Sequence, residues 1–250
     1  MIKYAVRFSL ALVAAVLSVG IYFGCTEDET SLFFDLTGRW SGVVYNEDGN
    51  SHVELDLTQD TTGYVTGFVY TYDEKSDTVP ISGIISEGKF AGTFNGNCVA
   101  DFEMDLKNDS LKLTGTAVDR PGVDCGGQVS ILLFKVIDAT ENITGTWSGT
   151  RKSTVSTDEE SFTLNFAQTG NVVSGLVFSV GDTTTLNGRM LGNVFEGMVG
   201  DQSCDIYVYV EITGNSGKGV YVGGGGESIM GCTDRGTLTI SRSTGKQIRK

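Results

Sequence analysis

Histidine, tryptophan and proline are scarce in this sequence. Its 250 residues include one His, two Trp and two Pro. His52 is the only histidine and no Cys-x-x-Cys pair is present, so the usual residues of a zinc site or a Ser-His-Asp site are lacking. His52 falls at an outward position of a predicted strand, where we expect an exposed side chain. The sequence therefore predicts no enzyme, no cofactor and no metal site.

Positive charge is also in short supply. The 18 Lys and Arg residues stand against 31 Asp and Glu residues, and the formal net charge is −13. So acidic a surface repels phosphate backbones, and the composition therefore predicts no nucleic-acid partner. The 34 glycines and the many β-branched and aromatic residues favour strands joined by tight turns over helices.

The N-terminal segment has the pattern of an export signal. Basic residues precede an apolar run over residues 8–23, which is typical of a signal peptide spanning residues 1–24. Cys25 then resembles the lipidated cysteine of a bacterial lipoprotein, and residues 25–35 form a polar tether. This resemblance implies a lipoprotein anchored to a membrane of the bacterial cell envelope, at the outer membrane or the cell surface. Ordinary cleavage near Gly20, which leaves a free thiol, is the alternative.

A tandem repeat fixes the organisation of the remaining chain. Residues 36–42, LTGRWSG, return as residues 143–149, ITGTWSG, after a shift of 107 positions. Further Gln, Gly, Phe and Cys residues return with nearly the same shift along the whole mature chain. The sequence therefore predicts two copies of one domain, over residues 36–137 and 138–250.

Each copy is predicted to be an all-β domain of eight short antiparallel strands. Val53, Leu55 and Leu57 alternate with acidic residues, as expected for strands with one buried face. An eight-stranded up-and-down meander of this kind can close into a barrel and lose its exposed edges. A β-sandwich is the alternative. In the first copy the predicted strands are 38–46, 51–59, 64–72, 78–86, 89–95, 98–106, 111–118 and 128–136.

A short motif is similar to the lipocalin and calycin superfamily. Gly-x-Trp opens the first strand of each copy, and a basic residue lies near the end of the last strand. The resemblance implies a barrel end plugged by an indole with a cation across it. The matching pairs are Trp40 with Lys135, and Trp147 with Arg242. Lys135 stands where the superfamily usually has Arg.

The four body cysteines fall at the opposite, open end of each predicted barrel. Cys98 begins a strand and Cys125 lies in a loop at the same end, and Cys204 and Cys232 repeat this arrangement. Two disulfides, Cys98–Cys125 and Cys204–Cys232, are therefore feasible and are expected in an exported protein.

The barrel interior is the candidate binding site, because its lining is apolar. An eight-stranded barrel either fills with its own side chains or holds one small ligand. The leading hypothesis is a non-catalytic envelope module that binds a small hydrophobic molecule. The candidate ligand-binding residues are Leu55, Leu57, Phe90, Phe102, Met104, Phe162, Leu164 and Phe195.

The open-end loops supply an alternative function. They are rich in Asp and Glu, which favours a structural, interaction or inhibitory surface protein acting on a basic protein partner. The composition of these loops also has a simpler explanation, since turns prefer Asp and Asn.

Overall fold

The structure is a computed structural model of the 250-residue chain. The described residues are 34–46, 50–71, 78–107, 111–122, 127–154, 157, 159–179, 181–200, 206–223 and 234–243.

Barrel 1 is a closed eight-stranded meander in which each strand pairs antiparallel with the next and β8 pairs with β1. Its strands are β1 (Gly38–Tyr45), β2 (Asn50–Gln59), β3 (Tyr64–Thr71), β4 (Thr78–Ser86), β5 (Lys89–Asn95), β6 (Val99–Lys107), β7 (Lys112–Asp119) and β8 (Gln128–Lys135).

Barrel 2 repeats the same topology, with β16 closing on β9. Its strands are β9 (Gly145–Ser153), β10 (Glu159–Thr169), β11 (Val172–Ser179), β12 (Asp182–Leu191), β13 (Val194–Val199), β14 (Ile206–Thr213), β15 (Ser216–Gly223) and β16 (Arg235–Arg242). No helix in the described part of the chain is long and apolar enough to span a bilayer.

The predicted fold class is confirmed: the protein is all-β with two tandem barrels rather than a sandwich. The alternation read from the sequence explains why. Val53, Leu55 and Leu57 are buried on the lumen side of β2, whereas Asp56 between them is exposed. The predicted strand bounds in the first copy differ from the observed ones by at most one residue.

Glycine permits the close approach of strands that a small barrel needs. Gly83 and Gly92 are paired across β4 and β5, and a Cβ placed on Gly92 would lie 2.0 Å from the Ser82 carbonyl oxygen. A side chain there would push the strands apart, which explains why the second copy keeps glycine at Gly188 and Gly197.

The two barrels share a third core between them, in addition to the core inside each one. Barrel 1 contributes the outward side chains of β1 and β8, and barrel 2 contributes those of β12 to β15. The buried members are Val43, Leu132, Phe134, Leu191, Val194, Tyr209 and Val222. Because these residues face away from either lumen, their burial depends on the contact between barrels.

A buried polar cluster extends this junction, and it corrects one expectation from the sequence. His52 points away from the lumen of barrel 1, as strand parity requires, but it is only 7% exposed. Barrel 2 covers this face of β2, so the His52 ring stacks on Tyr207 and its Nε2 lies 3.1 Å from Glu196 Oε1. The prediction of an exposed histidine is wrong, because parity identifies the face of a sheet but not what packs on it.

Arg189 links the carboxylates of this cluster. Its Nε donates to Glu196 Oε2 at 2.8 Å and its Nη2 donates to Glu54 Oε1 at 2.6 Å. Ser41 Oγ donates to Glu196 Oε1 at 2.5 Å. Burial by itself raises the pKa of Glu196, but the hydrogen bonds and charges of its partners lower it below the ordinary value. The carboxylate therefore stays ionised inside the junction.

Candidate ligand-binding site

The closed end of each barrel is built by the same set of contacts. Trp40 is fully buried, and its indole N–H donates to the Leu36 carbonyl at 2.9 Å. Trp147 repeats this with Ile143 at 2.8 Å. The glycine two residues before each Trp has φ near +125°, a backbone conformation that favours glycine and explains the Gly-x-Trp motif.

The predicted cations lie beside these indoles. Lys135 Nζ is 5.8 Å from the ring centroid of Trp40, and its ammonium donates to the Asp35 carbonyl at 2.7 Å. The Arg242 guanidinium carbon is 4.8 Å from the ring of Trp147, and the guanidinium also donates to the Asn142 carbonyl. This end of each lumen is therefore filled by an indole and bridged by a cation.

In barrel 1 the candidate ligand-binding residues pack against one another. Phe90 and Phe102 meet edge to face with ring centroids 4.8 Å apart, and Phe94 lies equally close to Phe102. Five predicted residues are at most 4% exposed within this core: Leu55, Leu57, Phe90, Phe102 and Met104. Their packing stabilises barrel 1, and their assignment to a ligand stays a prediction.

Barrel 2 contains a cavity of about 250 Å³ in its lumen. The three candidate residues from the second copy, Phe162, Leu164 and Phe195, all line it. Seven of the fourteen other lining residues are aliphatic, and polar side chains gather at the end away from Trp147. The cavity has the size and lining to hold a small apolar molecule, since an apolar cavity of about 150 Å³ already binds benzene.

Two substitutions between the copies reduce the side-chain volume at the centre of barrel 2. Strand pairing places Val199 and Val208 at the positions that Phe94 and Phe102 occupy in barrel 1. Both valines line the cavity. Replacing two phenyl rings by isopropyl groups removes side-chain volume from the centre of the lumen. Phe162, at the position of Val53, adds volume nearer the mouth.

The mouth of the cavity carries a polar cluster. Arg151 donates to Glu160 Oε2 through Nε at 2.8 Å and Nη2 at 2.5 Å. The Arg151 guanidinium carbon lies 5.7 Å from the ring centroid of Tyr221, whose hydroxyl donates to Asp234 Oδ2 at 2.9 Å. Partial burial and the Asp234 carboxylate raise the pKa of Tyr221 to about 12, so this phenol remains a neutral donor.

The sequence predicts acidic residues at this open end, but it did not reveal that Arg151 and Tyr221 face the lumen. Register places Arg151 and Tyr221 at lumen-facing positions that are Val44 and Ala117 in barrel 1. Gly236 makes room for the Tyr221 ring, because a Cβ there would lie 2.8 Å from it. Aligning the two copies strand by strand would have revealed both changes, since a charged residue at an inward position departs from the alternation.

Comparisons with known proteins give a structural match without an assigned function. No family model matches the sequence, and no curated protein matches it. A crystal structure of a protein of unknown function from the DUF3598 family, from Nostoc punctiforme, aligns with 87% of this chain and 100% of its own length. The identity is 11% and the TM-score is 0.30. The chemistry of the site therefore rests on its own residues.

The junction brings together a serine, a histidine and a carboxylate without the geometry of a hydrolytic triad. His52 Nε2 lies 3.0 Å from Ser41 Oγ and 3.1 Å from Glu196 Oε1. A proton relay uses opposite ring nitrogens for the nucleophile and the carboxylate, whereas here one nitrogen serves both. The cluster is also buried, so its contacts hold the two barrels together.

Several predicted residues lie outside the described part of the chain. These are the lipidation residue Cys25 and the disulfide residues Cys125, Cys204 and Cys232. Cys98 lies in the turn before β6, and both disulfide pairs stay predictions. Most acidic open-end loops are likewise outside the described residues. Within the described residues, no group of three metal-ligating side chains is present.

Proposed function

We propose that this protein is a non-catalytic binding module that holds a small hydrophobic molecule inside barrel 2. The observation that carries the proposal is the cavity of about 250 Å³, which has an apolar inner wall and polar side chains at the end of the lumen away from Trp147. Ligand pockets typically combine an apolar wall with a few polar groups at defined positions. Barrel 1, whose lumen side chains pack against each other, acts as a scaffold.

Naphthalene is a suitable probe, because it is rigid, uncharged, fluorescent and smaller than the cavity. We expect the full mature protein to bind naphthalene and to shift its emission. The Val208→Phe variant restores the residue found at the matching place in barrel 1, so it should fill the cavity and weaken binding by at least about tenfold, or 1.4 kcal/mol. Titration followed by naphthalene fluorescence measures both affinities.

A matched control distinguishes filling of the cavity from a general effect of a larger side chain on the protein. Val118→Phe makes the same substitution on the outer face of barrel 1, where the side chain is 47% exposed. This variant should bind naphthalene like the parent protein. The proposal fails if the parent protein binds no naphthalene, or if a folded Val208→Phe variant binds it with unchanged affinity.

We further propose that the module is exported and tethered to the bacterial cell envelope through a lipid on Cys25. The support is the basic and apolar pattern of residues 1–24 and the position of this cysteine directly after it. Cys25→Ser should abolish incorporation of labelled palmitate and move the protein from the membrane to the soluble fraction. Unchanged membrane partition of Cys25→Ser contradicts the anchor.

A further inference from the structure

The mouth of the barrel 2 cavity differs in charge from an ordinary apolar entrance. Among the residues that line the cavity, Arg151 is the basic side chain, and Glu160 and Asp182 are the acidic ones. Asp234 lies next to them as the acceptor of the Tyr221 hydroxyl, whereas Lys152 and Arg235 lie at the same strand ends in outward-facing positions. One cation against two carboxylates leaves the lining with a net charge of −1. The entrance of the cavity is therefore acidic, even before the charge of the whole molecule is considered.

The Arg151 guanidinium is engaged within the protein. It donates two hydrogen bonds to one oxygen of Glu160 and lies over the Tyr221 ring. Its charge is compensated by Glu160 at hydrogen-bond distance. An incoming carboxylate would have to compete with Glu160 for Arg151 and would also meet Asp182 on the opposite wall, so anions are disfavoured.

The remaining polar groups favour a partner that donates hydrogen bonds. The Tyr221 hydroxyl donates to Asp234, so its O–H is committed. Glu160 and Asp182 supply carboxylate oxygens, and a carboxylate can accept several hydrogen bonds. A primary ammonium offers three donors and a positive charge in one compact group, which suits this set of acceptors.

Several of these polar side chains are specific to the second copy. Strand register places Arg151, Thr184 and Tyr221 at lumen positions that are Val44, Val79 and Ala117 in barrel 1. Of the two carboxylates that line the mouth, Glu160 replaces Ser51, whereas Asp182 corresponds to Asp77 in the sequence of the first copy. The changes at Arg151, Glu160 and Tyr221 therefore accompany the cavity of barrel 2, which suits a ligand that contacts both mouth and cavity.

We propose that the ligand of barrel 2 is a small cationic amphiphile, with its apolar body in the cavity and a primary amine at the mouth. This inference rests on the proposed function, because it names the ligand class of the same cavity. Phe162, Leu164 and Phe195 contact the apolar body, while Glu160 and Asp182 bind the ammonium group.

A matched series of heptyl compounds tests the charge preference. Heptylammonium, heptanol and heptanoate share one apolar chain and differ in the polar end. Each is titrated against the naphthalene-loaded full mature protein, and displacement is read from naphthalene fluorescence at low salt. We expect heptylammonium to bind best and heptanoate worst, with at least about a tenfold ratio between them that narrows as salt is added.

Removing the carboxylates tests the assignment of residues. In the Glu160→Gln and Asp182→Asn double variant, the ammonium-to-carboxylate ratio should fall by about threefold or more, since each exposed charge pair contributes modestly. The naphthalene affinity of this variant is measured first, because both side chains line the cavity. Glu141→Gln, which removes one carboxylate at the closed end of the same barrel, is the control and should leave the ratio unchanged.

The possible failures can be told apart. Absence of naphthalene binding overturns the cavity function itself. Naphthalene binding with heptanoate equal to or tighter than heptylammonium overturns only the proposed ligand class. A preference for heptylammonium that survives intact in the double variant overturns the assignment of Glu160 and Asp182.

Discussion

At the residue scale, Glu196 is the side chain whose environment departs most from what its type suggests. It is a carboxylate that is only 6% exposed, held by Arg189 of its own barrel and by Ser41 and His52 across the contact between the two barrels. A buried ion survives only where charge and hydrogen bonds compensate its lost hydration. Glu196 thus ties the stability of the junction to the ionisation of one group.

This arrangement predicts a specific dependence of stability on pH. Burial raises the pKa of Glu196 and of Glu54, but their hydrogen bonds and cationic neighbours lower both values below 4.5. A carboxyl whose pKa is lower in the folded state stabilises the fold above its unfolded pKa, and this contribution is lost as the pH falls through the folded pKa. We therefore expect the free energy of unfolding to fall as the pH drops below 4.5.

Glu196→Gln isolates the contribution of this residue. It leaves Arg189 partly buried without its full charge partner, so the free energy of unfolding at neutral pH should fall by about 3 kcal/mol. The loss of stability on acidification should also be smaller in this variant. Urea denaturation at pH 7 and at pH 4 measures both effects.

The control for the Glu196→Gln variant is a substitution in a solvent-exposed ion pair. Glu103→Gln removes the carboxylate that pairs with Lys89 on the surface of barrel 1, where both side chains are about half exposed. This substitution should lower the free energy of unfolding by less than about 1 kcal/mol. Equal costs for the two variants would contradict the role assigned to burial at the junction.

At the scale of the elements, the two barrels show how a repeated strand can change function without changing shape. β6 and β14 hold the same place in their barrels, yet β6 carries Phe102 and β14 carries Val208 at the matching lumen position. Pairing, register and closure stay the same because the backbone pattern and the close-approach glycines are retained. The volume of the inward side chains then decides whether the lumen is filled or hollow.

The mouth illustrates the same point for polarity. β9 places Arg151 where β1 has Val44, and the neighbouring β10 supplies Glu160 as its partner. Both residues lie near strand ends, where a lumen-facing side chain can still reach solvent. A charged pair is tolerated there, whereas deeper positions such as Leu164 and Leu186 remain apolar.

At the scale of the whole molecule, the described chain from Phe34 onward forms one compact unit containing both barrels. Their junction buries Val43 and Leu132 against Val194 and Tyr209, and Lys112 donates to Glu211 at its edge. An apolar core of this kind is lost if either barrel unfolds alone. We therefore expect the two barrels to unfold in one cooperative transition.

The sequence offers a direct way to check this cooperativity, because each barrel contains one of the two tryptophans. Trp147→Phe leaves Trp40 as the reporter of barrel 1, and Trp40→Phe leaves Trp147 as the reporter of barrel 2. Urea transitions followed by tryptophan fluorescence should coincide with the far-ultraviolet circular dichroism transition in each variant.

Disrupting the junction should separate the two transitions. Val194→Asp places an unpaired charge in the shared core, so the barrels should lose their coupling in both single-tryptophan backgrounds. Val118→Asp, at an exposed position of barrel 1, should leave the transitions coincident. If the two barrels unfold in separate transitions while the junction is unmodified, the shared core contributes little to their coupling.

The sequence by itself determined the architecture, and the reason is that the relevant signals are local or periodic. Alternation along β2 fixed which side chains face the lumen, and the return of the motif around Trp40 at Trp147 fixed the doubling. Strand bounds followed to within one residue in the first copy. The apolar wall was also visible in the sequence, since Phe162, Leu164 and Phe195 fall at inward positions.

Only the tertiary structure decided which barrel is hollow and what covers each outer face. The cavity depends on the total volume of the side chains that different strands direct into the closed lumen, such as those of Val199 and Val208. The burial of His52 depends on barrel 2, whose partner residue Glu196 lies 144 positions away along the chain. Periodicity describes one strand at a time, whereas packing volume and inter-barrel contact are properties of strands brought together by closure.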